Sequence, residues 1–230
     1  MASSETAKSR VEAVTRQLRE GIFQSAYPPG TPLRELVLAR QLKVSQTTIR
    51  EALRRLEHSG LVIREVNRGS TVTRLSPKEI RERVTLRALL ETRAAQAAAH
   101  RMGEDQFREL EKRSAILDGL IQSDNYYDAA QADLDFHRYV WQCSGDNTLC
   151  NVLELITVPL FAFISILRSQ RIQRLASVVA AHEPLISALR SRDPERIHTA
   201  FEAGATSSYR DFLDQEDNRS VALALGLVGA

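Results

Sequence analysis

Between Lys8 and Gln24 the apolar residues Val11, Val14, Leu18 and Ile22 recur at helical spacing, which predicts a first helix ending at the breaker Tyr27-Pro28-Pro29-Gly30. Leu33, Leu36, Val37 and Leu42 then predict a short second helix, with Lys43-Val44 as a tight connection. Ser45 is the predicted N-cap of a third, because its hydroxyl accepts from the free backbone N–H groups of a first turn. Ile49, Ala52, Leu53 and Leu56 follow at i, i+3, i+4 and i+7, and Gly60 suits the left-handed position that closes a helix. Beyond Gly60 the period shortens. Leu61-Val62-Ile63 and Thr71-Val72-Thr73 predict two strands joined by the polar loop Arg64 to Ser70, a β-hairpin wing. Ser76-Pro77-Lys78-Glu79 reads as a helix start, Ser at the cap and Pro at the first helical position, so a division falls at residue 75.

From Pro77 to Leu213 only helical periodicity is found. It predicts helices at 77–101, 104–122, 126–143, 146–169, 171–191 and 194–213, with Pro159 and Pro184 kinking or interrupting two of them. The predicted fold is therefore mainly α. Residues 1–75 form a winged helix-turn-helix of three helices and a two-stranded wing, residues 76–215 an all-α bundle, and 216–230 a tail whose end, Val221 to Ala230, is apolar. No apolar run is read as approaching the roughly 18 residues that cross a bilayer, and MASSETAKSR lacks the apolar stretch of a signal peptide. A cytoplasmic protein with no membrane partner is expected. Cys143 and Cys150 match no zinc spacing and are read as packing residues.

Charge changes the picture more than composition does. The chain carries a net charge of only +2, but residues 1–75 hold 13 Lys and Arg against 7 Asp and Glu, leaving 18 against 22 for the rest. A basic amino-terminal segment suits a polyanion, although charge alone is equally compatible with a solvated surface. The helical pattern decides which side chains face out. With Ile49, Ala52, Leu53 and Leu56 turned inward, helix three presents Gln46, Thr47 and Arg50, with Arg54 one turn on. Arg spans guanine with two hydrogen bonds, Gln does the same for adenine, and Thr meets phosphate or a thymine methyl. Turn, cap, polar edge, wing and charge together point to double-stranded DNA, with helix three in the major groove.

The runs Leu33-Arg34-Glu35-Leu36, Val44-Ser45-Gln46-Thr47-Thr48-Ile49-Arg50-Glu51-Ala52-Leu53-Arg54-Arg55-Leu56, Gly60-Leu61-Val62 and Arg68-Gly69 resemble the winged-helix domain of GntR-family transcription regulators. The resemblance implies that Arg34, Ser45, Thr47, Thr48 and Arg50, with Arg68 and Gly69 on the wing, occupy DNA-contact positions. Where that family usually carries Arg after the capping residue, this chain has Gln46, which suggests an altered operator preference favouring A·T at the base it faces. The helical half resembles the FCD effector domain of the FadR-type subfamily, on Arg87-Ala88-Leu89-Leu90-Glu91, Asp133 to His137, Gly145-Asp146-Asn147 and His182 before Leu185-Ile186-Ser187-Ala188-Leu189. A homodimeric regulator, a repressor, follows, with two half-sites of a palindromic operator as its target and a small organic-acid effector.

Asp133 and His137 stand at i, i+4 on one helix face, which permits a shared metal, although the spacing by itself favours a plain helix-stabilising pair. In the metal-binding relatives that the bundle resembles, two later histidines complete the set. His182 matches one, and the other position falls at Gly204, with His198 six residues away on a different face. A divalent transition metal such as Zn or Ni is left open, since three protein ligands bind less tightly than four. Arg87 is the candidate for neutralising an effector carboxylate, or else an i, i+4 partner of Glu91. The residues also leave two other classes to be weighed: a metal-dependent hydrolase using Asp133, His137 and His182, and an architectural DNA protein without a ligand. No general-base motif or phosphate-cradling loop supports catalysis, so no enzyme activity is expected.

Overall fold

The computed structural model describes residues 2–65, 69–122, 125–169, 182–207 and 209. It is mainly helical with one small sheet, as the patterning predicts. Helix α1 (Ala2–Phe23) buries Val14, Leu18, Ile22 and Phe23, and the chain reverses through Pro28, Pro29 and Gly30. Strand β1 (Pro32–Leu33), helix α2 (Glu35–Gln41) and helix α3 (Gln46–His58) follow. The turn between α2 and α3 places Lys43 at φ 53, with Val44 N donating to Ala39 O at 3.0 Å and Lys43 N to Arg40 O at 3.4 Å. This is the Schellman closure that usually recruits glycine, made here by a lysine. Ser45 Oγ accepts from Thr48 N at 3.1 Å, the predicted cap, worth about 1 kcal/mol over Ala. Ile49, Ala52, Leu53 and Leu56 are all buried.

Two details differ from the pattern. Helix α2 buries Leu38 and Ala39, whereas Leu36 and Val37 are exposed, because a two-turn helix offers too few periods to phase its inner face. The wing, strands β2 (Val62–Glu65) and β3 (Gly69–Val72), is joined by β1 into a three-stranded antiparallel sheet of order β1-β3-β2, with Leu33 opposite Ser70 and Val62 opposite Val72. The tip of the hairpin, with Arg68, lies outside the described residues.

Helices α4 (Pro77–Arg101), α5 (Glu104–Gln122), α6 (Tyr126–Cys143), α7 (Asn147–Ser169), α8 (His182–Ser191) and α9 (Pro194–Ser207) form the bundle. Ser76 opens α4 with a capping box: its hydroxyl accepts from Glu79 N at 3.2 Å, and Glu79 Oε2 accepts from Ser76 N at 2.8 Å. Ala95, Ala98 and Ala99 let α6, α8 and α9 approach α4 closely, burying Phe136, Leu185, Leu189 and Phe201 among them. Cys143 and Cys150 are free and half-buried. The predicted stretches 171–181 and 210–213, and the tail 216–230, lie outside the described residues.

Helix α7 corrects one expectation and narrows another. Asn147–Ile166 is 20 residues whose most apolar window has a mean hydropathy of 2.0, long and apolar enough to cross a membrane, contrary to the reading of the apolar runs; 61% of that window is buried inside the protein. It is a core helix whose burial explains its composition. Pro159 does not break it. The proline removes the N–H that would have bonded Leu155 O, and Arg83 of α4 donates to that carbonyl instead, Nη1 at 3.1 Å. The winged-helix core continues without interruption into α7, through Leu153, Val158, Phe161 and Ala162.

Candidate nucleic-acid interface and buried ligand site

On α3 the side chains of Gln46, Thr47, Arg50 and Arg54 are exposed along one edge, while the opposite face is sealed in the core. Ser45 and Thr48 stand at the start of that edge, their hydroxyls 2.8 Å apart. Arg34, at the N-cap of α2, is exposed, and so is Gly69 at φ 85 at the base of the wing. Apart from Arg68, the predicted DNA-contact residues are therefore all exposed, Thr48 partly so. One member has a partner that residue spacing did not reveal. Glu35 of α2 receives two hydrogen bonds from Arg50, Nη2 to Oε2 at 2.9 Å and Nε to Oε1 at 3.3 Å. These bonds raise the affinity of Arg50 for its proton, so the group stays cationic.

The second site is buried in the bundle. Asp133 and His137 on α6 and His182 on α8 come together, with one ligand atom from each within 4.8 Å of the others. His182 Nε2 lies 3.1 Å and His137 Nε2 3.5 Å from Asp133 Oδ1. The His182 ring stacks on Phe136 at 3.8 Å, which sets its plane. Arg87 is wholly enclosed. Its Nε is 3.1 Å from Glu91 Oε2, its Nη2 is 3.3 Å from His137 Nε2, and its guanidinium lies 4.8 Å from the centre of the Phe161 ring. Arg87 is thus the i, i+4 partner of Glu91, and it also touches the histidine cluster.

Glu91 organises the site from behind. Trp141 Nε1 donates to its Oε1 at 3.2 Å, and His137 Nδ1 lies 3.2 Å from the same oxygen. Burial alone would push its pKa up, but the Arg87 charge and then His137 hold it down to about 2. Glu91 thus faces Nδ1 of His137, and Arg87, which can only donate, faces Nε2.

One carboxylate and two imidazoles suit a divalent transition metal, and Glu91 supplies the outer carboxylate that orients such a histidine ligand. Arg87 donates to the lone pair that a metal would take, so guanidinium and metal are alternative cations at that nitrogen. Gly204 adds no donor; a Cβ there would stand 3.3 Å from Leu185 Cδ2. His198 is exposed and sits 3.6 Å from Glu202, away from the cluster. Glu91, Trp141 and Phe161 were not read as site residues from the chain. Only Glu91, four residues after Arg87, had a local signal.

A polar reading edge on a winged helix, joined through a shared core to a bundle with a buried polar cluster, defines a DNA-binding protein with a sensing domain. Comparison with known proteins identifies the class. The FCD domain model matches residues 82–203, and the model of bacterial regulatory proteins of the gntR family matches residues 10–72. The chain belongs to the GntR family of transcription regulators, with an FCD effector-binding domain. It is 30% identical over 177 residues, 76% of each chain, to a probable D-xylose utilization operon transcriptional repressor of Paenarthrobacter nicotinovorans. It is 26% identical over 191 residues, 82% of each chain, to the HTH-type transcriptional repressor RspR of Escherichia coli K12. Among solved structures, Escherichia coli McbR/YncC superposes with a TM-score of 0.76 at 21% identity, covering 90% of this chain and 99% of the other. A putative GntR regulator from Rhodococcus sp. RHA1 gives 0.69 at 20% identity, covering 91% and 100%.

Proposed function

We propose that the chain is a cytoplasmic homodimeric repressor whose winged helices, within residues 1–75, read two half-sites of a palindromic operator, and whose bundle, residues 76–215, dimerises and senses a small organic acid. The exposed polar edge of α3 carries this reading, because Gln46, Thr47, Arg50 and Arg54 stand clear while the face behind them is sealed. Arg50 and Gln46 read base edges; Arg34, Ser45, Thr47, Thr48, Arg54, Arg68 and Gly69 hold the backbone or flanking groove. Gln46 biases its base pair toward A·T. The repressor names of the two curated relatives support the sign of regulation.

The effector is an anion, met by Arg87, the enclosed cation of the bundle. Thr157 and Ser165 on α7 flank Phe161 by one turn on each side, and their buried hydroxyls have no hydrogen-bond partner among the described residues, which favours a polar ligand. Asp133, His137 and His182 would hold a divalent transition metal such as Zn or Ni; when bound, it supplies a Lewis-acid anchor for a carboxylate. Helix α7 carries the signal, since Phe161 touches Arg87 while Leu155 and Pro159 of the same helix lie against Gly60 at the end of α3. A ligand shifts the DNA-binding equilibrium only by preferring one placement of the reading heads over another. A hydrolytic role is disfavoured, because the cluster faces a guanidinium and the carboxylate beside it, Glu91, is tied to Arg87 and Trp141.

The full chain, titrated onto a pool of randomised duplexes, should bind and lose affinity steeply as salt rises, through counterion release. Binding indifferent to salt would overturn the interface. With acetate, lactate, citrate and gluconate as probes, at least one should release the selected duplex, and His182→Ala should lose both that release and co-purifying metal. Equal metal content in His182→Ala would remove the metal from this account.

A further inference from the structure

Arg50 does not project freely from α3. Its Nε–Nη2 side is closed by both oxygens of Glu35, a residue fifteen positions earlier on a different helix. Glu35 is the first residue of α2, a position where a carboxylate is favoured by the unpaired N–H groups of the helix start. About a quarter of its side chain is exposed against nearly half for Arg50, so the carboxylate is the fixed member and the guanidinium the outer one.

We propose that Glu35 is a positioning residue that makes Arg50 a reader of guanine rather than a clamp on phosphate, an inference that rests on the DNA-reading role assigned to α3. Two physical consequences of the pair lead there. A guanidinium has a side edge, Nε with Nη2, and an end edge, Nη1 with Nη2. Occupying the side edge stops the long side chain from swinging and leaves the end edge pointing outward, a two-donor fork that matches guanine O6 and N7. The second consequence is electrostatic. A carboxylate 2.9 Å from the cation cancels much of its field at the distance of a phosphate, while leaving the short-range fork intact. Arg54 offers the contrast within the same helix: its Nη1 is 3.8 Å from Glu51 Oε2, too far for a hydrogen bond that would fix its orientation.

The test selects duplexes from a randomised pool with the full-length protein, then measures affinity for the selected duplex, for single-base variants of it, and for an unselected duplex. The wild type should enrich guanine at one position of each half-site. Glu35→Gln should keep the wild-type unfolding midpoint, lose roughly tenfold or more of the preference for that guanine, and bind the unselected duplex more tightly with a steeper salt dependence. Glu35→Asp, which keeps the charge on a shorter arm, should fall between the two. In an Arg50→Ala background, Glu35→Gln should leave the base preference unchanged, which a mere strut between α2 and α3 would not do. A Glu35→Gln protein with the wild-type motif and selectivity would overturn the proposal while leaving the regulator intact, as would an equal loss on every duplex. A wild type that enriches no sequence would overturn the base-reading role of Arg50 and this proposal with it.

Discussion

A single carboxylate, Glu91, has no exposed surface and faces three neighbours: Trp141, Arg87 and His137. Its charge is the counterpart of a guanidinium that has almost none of its surface in water. Glu91→Gln keeps the shape and the acceptor for Trp141 but leaves Arg87 without that counter-charge. Removing one partner of a buried pair costs about 3–5 kcal/mol, and urea unfolding should show a loss in that range. An unchanged midpoint would mean that Asp133, which also acts on Arg87, carries the compensation instead. The residues of the site differ in how far the sequence reveals them, and the reason is distance along the chain. Asp133 and His137 share a helix face at i, i+4, so their spacing is a local signal. His182 was placed only by likeness to a family, because 49 residues separate it from Asp133. Glu35 with Arg50 and Glu91 with Trp141 are paired by tertiary packing alone, for which no periodic rule exists.

Among the elements, α7 and the end of α3 meet at one glycine. Gly60 has φ 72, and a Cβ on it would stand 2.7 Å from Leu155 O and 3.1 Å from Pro159 Cγ. Backbone conformation and contact therefore both demand glycine. Gly69 needs it for φ alone, since nothing lies within 4 Å of its Cβ position. Gly60→Ala should cost about 1–3 kcal/mol from the left-handed conformation, with a further loss as α3 and α7 move apart. Gly69→Ala should show the first part only. Thermal unfolding separates them at about 2–4 °C per kcal/mol for a chain of this size, and equal shifts would mean that the α3–α7 contact is slack. Most elements were legible because long helices repeat their apolar face several times and declare their ends; Ser76-Pro77 and Ser45 are such declarations. Strand β1 was not, as two residues including a proline carry no alternation. The apolar length of α7 was missed because Glu154 interrupts the run, whereas one charge hardly lowers the mean over 20 residues.

In the molecule as a whole, apolar side chains remain exposed on two helices that pack on one another, Leu86 and Leu89 on α4 and Val152 and Leu155 on α7. Leu89 is 65% exposed. Single exposed leucines are ordinary, but the homodimer proposed above needs a face, and these four on adjoining helices are the candidates for meeting a second copy of the chain across a two-fold axis. Symmetric pairing there would present two reading edges to successive major grooves, which a single winged helix cannot do. Leu89→Arg places like charges face to face across such an axis and should convert the proposed dimer to a monomer in sedimentation or light scattering. The folded monomer should keep its salt-dependent attraction to any duplex, since the Arg and Lys residues of the winged helix are untouched. It should lose most of its preference for a selected palindrome, because each half-site is then bound alone. A Leu89→Arg protein that remains dimeric would place the two-fold contact elsewhere, and one that becomes monomeric yet binds the palindrome as tightly as before would show that pairing adds nothing to recognition.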